Sequence, residues 1–233
     1  MNYNFIIASQ KNTLEETFIY KSLFALTGLN FSISRDVLFY GNNTRPLSVV
    51  YNEGLKKCKE QNIGFAIFVH DDVYLNCCDF VKRVKKYGNM YDVFGLAGNK
   101  SITIKEPVLW HLMSSRDNLR GCVAHGPDEN SYTYTSFGKV PDSVVLIDGV
   151  FMVVNLTKLP ESVKFDENNP AKFHFYDLMF SLDCCLNKVK VGVGDIPIIH
   201  NSPGLREMSN DWKQGQQYFL NKYKKYLNKT LTV

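Results

Sequence analysis

The sequence predicts a single α/β domain on a mixed, mostly parallel sheet flanked by helices. Three observations carry that reading. Apolar runs alternate with helix-period segments from Tyr3 to Ala97. One run, Phe65 to Val69, is apolar throughout, as strands buried on both faces are. The 233 residues, 45% hydrophobic and 21% charged, suffice for one good-sized core and are ordinary for a packed protein.

The elements follow in order. Tyr3 to Ala8 reads as a buried opening strand. Leu14, Phe18, Ile19, Ser22, Leu23 and Leu26 recur at helical spacing, and Gly28 and Asn30 are suited to end that helix. Val37 to Tyr40 is a second short strand, followed by the turn-rich Gly41 to Pro46. Leu47, Val50, Tyr51, Gly54, Leu55 and Cys58 mark a helix face. After Phe65 to Val69 comes His70-Asp71-Asp72, then a helix with Asp79 at its cap and Phe80, Val84 and Tyr87 inward. Val93 to Ala97 is another strand. Lys100 to Pro141 is polar, contains glycine and reads as a long loop; loops of that length in compact domains serve function, so it is a candidate lid and acceptor platform. Val144 to Ile147 and Val150 to Val154 are strands around Asp148-Gly149. Tyr176 to Asn187 is helical, Val189 to Val193 alternates like a strand, and Ile196 to Ile199 leads to His200. From Trp212 a last helix carries Trp212, Phe219, Tyr223 and Tyr226 on one face.

Charge excludes little but helps. A net charge of +4 is too small to argue for nucleic acid, and disorder would need more charge with fewer apolar residues. The surplus gathers at Lys222, Lys224, Lys225 and Lys229, either a solvated helix face or an anionic-surface patch. The 6 cysteines show neither metal-site nor disulfide-framework spacing, which suits free thiols in a reducing compartment. No leader and no apolar run of about 20 residues is visible. The expectation is a cytoplasmic protein.

Several residues could carry chemistry. Asp71-Asp72 follows the buried strand, where parallel α/β sheets place their ligand sites. Adjacent carboxylates with no basic neighbour repel unless a cation joins them, and their oxygens suit Mg²⁺ or Mn²⁺. The alternative is an exposed turn with one aspartate capping a helix. Asp177 is either a helix-start cap or a general base. His200 ends an apolar strand as a structural group or a ligand, and imidazole favours Mn²⁺ over Mg²⁺. Asp148-Gly149 is a tight bend whose aspartate needs partners. Trp110, Tyr132, Tyr134 and Tyr176 are candidate stacking surfaces or core. No Walker loop, dinucleotide glycine motif, nucleophile elbow or zinc-spaced cluster occurs.

Taken in order, Val50-Tyr51-Asn52-Glu53-Gly54, Phe68-Val69-His70-Asp71-Asp72-Val73, Leu146-Ile147-Asp148-Gly149-Val150-Phe151-Met152, Phe173-His174-Phe175-Tyr176-Asp177-Leu178 and His200-Asn201-Ser202 resemble the GT-A (Rossmann-like) glycosyltransferases. They are most similar to the small bacterial and viral group related to a streptomycin-biosynthesis glycosyltransferase-like domain. The resemblance spans Tyr3 to Tyr223. It implies one domain over 1–233: a nucleotide-binding half (1–99), an acceptor and metal half (100–210) and a C-terminal amphipathic helix (211–233).

The same resemblance implies roles. Asp72 and His200 would bind the metal, Mn²⁺ or Mg²⁺. Asp71 would hold the donor ribose, or the metal through water. His70 stands where the family's first aspartate usually is. Ser9 and Asn52 would line the nucleotide pocket, and Asp148 would lie near the donor sugar. Asp177 would be the base of an inverting transfer, and Trp110 and Tyr176 would face the acceptor. The implied partners are a nucleotide-sugar, most often a UDP-sugar in such folds, and a glycan, lipid-linked or protein acceptor, without nucleic acid. The C-terminal helix could pack on the domain, a second copy or a membrane surface. A non-catalytic nucleotide-sugar-binding module and a metal-dependent nucleotidyltransferase are the alternatives; the latter would normally show a glycine-rich basic loop where Ser9-Gln10-Lys11-Asn12 stands.

Overall fold

The computed structural model describes residues 2–24, 31–102, 109–202 and 208–227. The first part lays down the expected alternation. Strand β1 (Tyr3–Ala8) leads to helix α1 (Phe18–Leu23), the short helix α2 (Ile33–Asp36), strand β2 (Val37–Tyr40) and helix α3 (Leu47–Glu60). Strand β3 (Phe65–Val69), the short strand β4 (Val73–Leu75), helix α4 (Phe80–Met90) and strand β5 (Val93–Gly95) follow. Helix α3 buries Leu47, Val50, Tyr51, Leu55 and Cys58, the face its 3.6-residue period marks out. The expected end of the first helix, Leu26 to Asn30, lies outside the described residues. Asp79 stands at the start of α4 but makes no cap bond; its carboxylate takes Arg83 Nε at 2.6 Å instead, one turn along.

The central sheet gains three later strands: β9 (Asp142–Ser143), β11 (Phe151–Asn155) and β12 (Val191–Val193). Its order is β2-β1-β3-β11-β5-β12-β9. Five of these 7 strands share one direction, and β11 and the edge strand β9 run against them, so the sheet is mixed and mostly parallel. Alternate residues feed two cores, one on each face. Phe5, Ile7, Ile67 and Val69 join one, and Ile6, Ala66 and Phe68 join the other.

A second sheet corrects the reading of Lys100 to Pro141 as a loop. Strand β6 (Ala97–Asn99) pairs with β7 (Leu119–Asp128), which forms a hairpin with β8 (Ser131–Gly138). Strands β10 (Leu146–Ile147) and β13 (Ile198–His200) complete the path β10-β6-β7-β13-β4. The hairpin was hidden because Gly121, Gly126 and Pro127 interrupt β7, and because β8 is largely exposed and lacks an apolar face. Gly121 sits at a register shift with φ +109°, a conformation that favours glycine. Residues 103–108 of that stretch lie outside the described residues. The single strand expected from Val93 to Ala97 is in fact two, β5 and β6, one in each sheet.

Helix α5 (Tyr176–Leu186) covers β10 and β12, and helix α6 (Asn210–Tyr223) closes the fold. Ser209 caps α6, its hydroxyl accepting from Trp212 N at 3.1 Å. Trp212, Phe219 and Tyr223 are buried, with the Trp212 and Phe175 rings 5.5 Å apart. The apolar side of this helix therefore packs on its own domain. Lys222 joins Asp166 and Asp183, each at 2.9 Å, while Lys224 and Lys225 stay exposed and Lys229 lies outside the described residues. No helix among the described residues is long and apolar enough to cross a membrane. The cysteines are unpaired thiols, with Cys58, Cys77 and Cys184 buried.

Candidate functional site

The site forms where β3 ends. Antiparallel pairing of β11 on β3 sets Phe151 against Val69, so the turn before β11 lies beside the residues after β3. The His70 amide donates to Val150 O at 3.1 Å and locks that junction. On the other side, β13 pairs with β4 so that His200 faces Val73, and Asn201 N donates to Asp72 O at 2.8 Å. Two pairings, both remote in sequence, thus bring His70, Asp72 and His200 together.

Their ligand atoms lie within 4.8 Å of one another. His200 Nε2 is 3.2 Å and His70 Nδ1 3.9 Å from Asp72 Oδ1. Neither Asp72 Oδ1 nor His200 Nε2 has a hydrogen-bond partner, although both atoms are buried. Orphaned polar atoms of this kind are costly, and a shared cation would satisfy them together. Burial works to raise the Asp72 pKa, but the facing His200 and His70 hold it below the usual carboxylate range. Burial lowers that of His70, keeping it neutral and able to ligate. One carboxylate and two imidazoles form a donor set that fits a divalent transition metal such as Mn²⁺.

Asp177 enters from α5. The helix begins at Phe175, held at φ 67°, and Asp177 lies in the first turn. Its carboxylate reaches across to accept from Gly149 N at 2.7 Å. Burial, with the nearby Asp148 charge, pushes its pKa up to about 7. A carboxyl poised there can exchange a proton near neutrality. Asp148 turns its own carboxylate to Val150 N at 3.0 Å, forming the tight bend expected of Asp148-Gly149.

The remaining predicted residues are placed as follows. Ser9, at the end of β1, donates its hydroxyl to Asp71 Oδ2, so these two form one unit next in sequence to Asp72 of the cluster. Asn52 is committed elsewhere. Its amide donates to Phe165 O at 2.9 Å and Glu167 Oε1 at 2.7 Å and accepts from Phe165 N at 2.9 Å. It clamps the 165–167 segment and has no amide donor left for a nucleotide. Trp110 and Tyr176 are each only 3% exposed, so neither is an open stacking platform. The Tyr176 hydroxyl lies 2.8 Å from His70 Nε2.

A cavity of about 730 Å³ joins these groups, with His70, Asp148, Asp177 and His200 on its wall. Trp110 and Phe137 from the 100–141 segment also line it. Two histidines of the wall, His111 and His125, stand in the 100–141 segment and were given no role from the sequence. His125 sits opposite His200 through the parallel pairing of β7 with β13, ring centroids 5.7 Å apart. Its only local signal was strand alternation next to Gly126, and β7 itself went unread.

Two solved structures resemble the chain at 14% identity: A197 from STIV, with a TM-score of 0.48, covering 90% of this chain and 99% of that one, and HddC from Yersinia pseudotuberculosis, with a TM-score of 0.38, covering 94% and 100%. No curated protein sequence matches. The profile described as "Glycosyltransferase like family" matches residues 26–231, which takes in every site residue named above except Ser9. The chain belongs to the glycosyltransferase-like family.

Proposed function

We propose that this protein is a metal-dependent, inverting glycosyltransferase that moves a sugar from a nucleoside-diphosphate sugar, a UDP-sugar by preference, to an acceptor hydroxyl. One observation carries the reading: Asp177, its pKa pushed up to about 7, shares a cavity wall with His70 and His200, the two histidines that cluster with Asp72. A general base and a diphosphate-holding centre are the two things such a transfer needs. Asp72 and His200 hold the cation. Bound there, Mn²⁺ or Mg²⁺ would serve as a Lewis acid for the charge that grows on the leaving diphosphate. Asp177 takes the acceptor proton as the hydroxyl attacks. The Ser9–Asp71 unit accepts the ribose, and Asp148 orients the donor sugar. Tyr176 acts through His70 and Trp110 shapes the wall, while the acceptor enters past the 100–141 segment.

In this reading residues 1–99 bind the nucleotide and residues 100–210 the acceptor, with the metal set drawn from both. The narrower kinship with the streptomycin-related group rests on the ordered motifs and belongs to the same proposal. Calorimetric titration with a panel of nucleotide-sugars, with and without Mn²⁺, tests it on the wild type and on Asp72→Ala. Metal-dependent binding of one donor, lost in the variant, is expected. Binding of no donor under either condition overturns the proposal. Proton NMR of the product's anomeric centre then reads inversion directly.

A further inference from the structure

The cavity wall that carries Asp177 also carries an apolar opening. Of the 7 large apolar side chains that stand exposed among the described residues, Leu112, Phe173 and Met208 line this cavity. A side chain that lines a cavity and is also exposed stands at its mouth; Leu112 is 66% exposed and Met208 41%. The three come from separate segments: the stretch between β6 and β7, the approach to α5, and the residue before the Ser209 cap of α6. Single exposed apolar residues are ordinary, but three that converge on one opening mark a binding surface.

The polar groups of the wall narrow what binds. All 5 histidines of the chain line the cavity, yet among the described residues no lysine, arginine, asparagine, glutamine or glutamate does. Burial lowers the pKa of His111 and His174, so both are neutral at pH 7. A phosphorylated or acidic acceptor meets no basic side chain there. A glycan chain crossing the mouth would give up hydrogen bonds to water and regain few. Trp110 is buried, its ring 5.2 Å from that of Phe137, and offers no open face to a sugar or an aromatic ring.

We infer that the acceptor is an uncharged amphiphile, a hydroxyl-bearing head that reaches Asp177, carried on an alkyl chain that lies along Leu112, Phe173 and Met208. This rests on the transferase reading of the site, with Asp177 as its base. Leucine and methionine suit an alkyl chain better than a rigid ring, and the unbranched methionine side chain adapts to it most readily. A chain seated at the mouth also displaces water there, which protects the donor from hydrolysis.

The test is binding, independent of turnover. The 2 tryptophans of the chain, Trp110 and Trp212, both line the cavity, so intrinsic fluorescence reports its filling and calorimetry gives the affinity. The probes are n-alkyl β-glucosides from methyl to octyl, held below their micellar concentrations, with maltotriose as the polar arm and phenyl glucoside as the aromatic arm. Affinity should rise about two- to fourfold per added methylene from butyl to octyl. Octyl glucoside should bind about tenfold more tightly than maltotriose or phenyl glucoside, by the same burial of methylenes. Leu112→Ser combined with Met208→Ser should lower octyl affinity about tenfold and flatten the dependence on chain length. Met90→Ser, at an exposed methionine outside the cavity wall, should change neither. Circular dichroism confirms that the variants are folded. A flat dependence in the wild type, tighter binding of maltotriose or phenyl glucoside, or an unchanged dependence in the double variant overturns the inference. Titration with nucleotide-sugars and Mn²⁺ separates the two readings. If a donor binds while the chain-length dependence is flat, the inference fails and the transferase reading stands. If the dependence is steep but no donor binds, the transferase reading falls and takes the acceptor assignment with it.

Discussion

The Gly149 amide donates to Asp177 Oδ2 at 2.7 Å, and the same glycine's carbonyl accepts the Tyr176 hydroxyl at 3.4 Å. One peptide unit on each side of one residue therefore steadies the candidate base and the group behind His70. A Cβ at this position would collide with the Tyr176 hydroxyl and stand 2.9 Å from Asp177 Cβ. Gly149→Ala should destabilise the fold by about 1–3 kcal/mol through overpacking. Transfer activity should fall by more than that loss explains, because both neighbours shift. Urea unfolding alongside kcat on the folded fraction separates the two effects.

Asp177→Asn should lower kcat by about 10²- to 10⁴-fold and leave the donor affinity near wild type. The pH dependence has a definite sign. The folded-state pKa is raised from 3.8 to about 7, so the base form appears only as pH rises through about 7. Wild-type kcat/KM should climb below that value and level above it, and the variant's residual rate should lack this limb. The same shift acts on stability. A raised carboxyl stabilises the native state most below its unfolded value, and this contribution drains away between about pH 4 and 7. The difference in Tm between Asp177→Asn and wild type should therefore grow in the variant's favour across that window, as thermal melts at pH 4.5 and 7.5 would read.

Asn52→Ala distinguishes a clamp from a nucleotide contact. With three bonds to the 165–167 segment lost, Phe165 N and O are left without those partners. Stability should drop by about 1–3 kcal/mol. Nucleotide affinity of the folded protein should change less than twofold, measured by calorimetry at low temperature.

The sequence made the central sheet readable because its strands are short, apolar and separated by helices with clear faces, as in Leu47 to Cys58. It made the triad only partly readable. Asp72 and His200 are 3.2 Å apart through the pairing of β4 with β13, a long-range register that no local pattern encodes. His125 was missed for the same reason, being brought to His200 by β7. Asn52 sits in the expected motif, and its amide is bonded to the 165–167 segment, a long-range pairing that residue type and spacing do not reveal. The hairpin of β7 and β8 was lost to glycine and proline, which mark loops more often than strands.

Trp212→Ala should cost about 3–5 kcal/mol, the range for emptying a buried aromatic site. Phe175, held at φ 67° at the head of α5 with its ring tilted against Trp212, should loosen with it. Activity should fall as well, since Trp212 also lines the candidate cavity. Hydrogen exchange at the first turn of α5 would report the change directly.

The packing of α6 also sets an order in time. The candidate metal, donor and base residues all precede Asn210 in the chain, yet Phe175 and Met179 are sealed only when Trp212, Phe219 and Tyr223 arrive. A ribosome-bound nascent chain that has already emitted His200 still carries an open core. Packing around the site is complete only once α6 is present, and until then Phe175 and its apolar surroundings lack their cover.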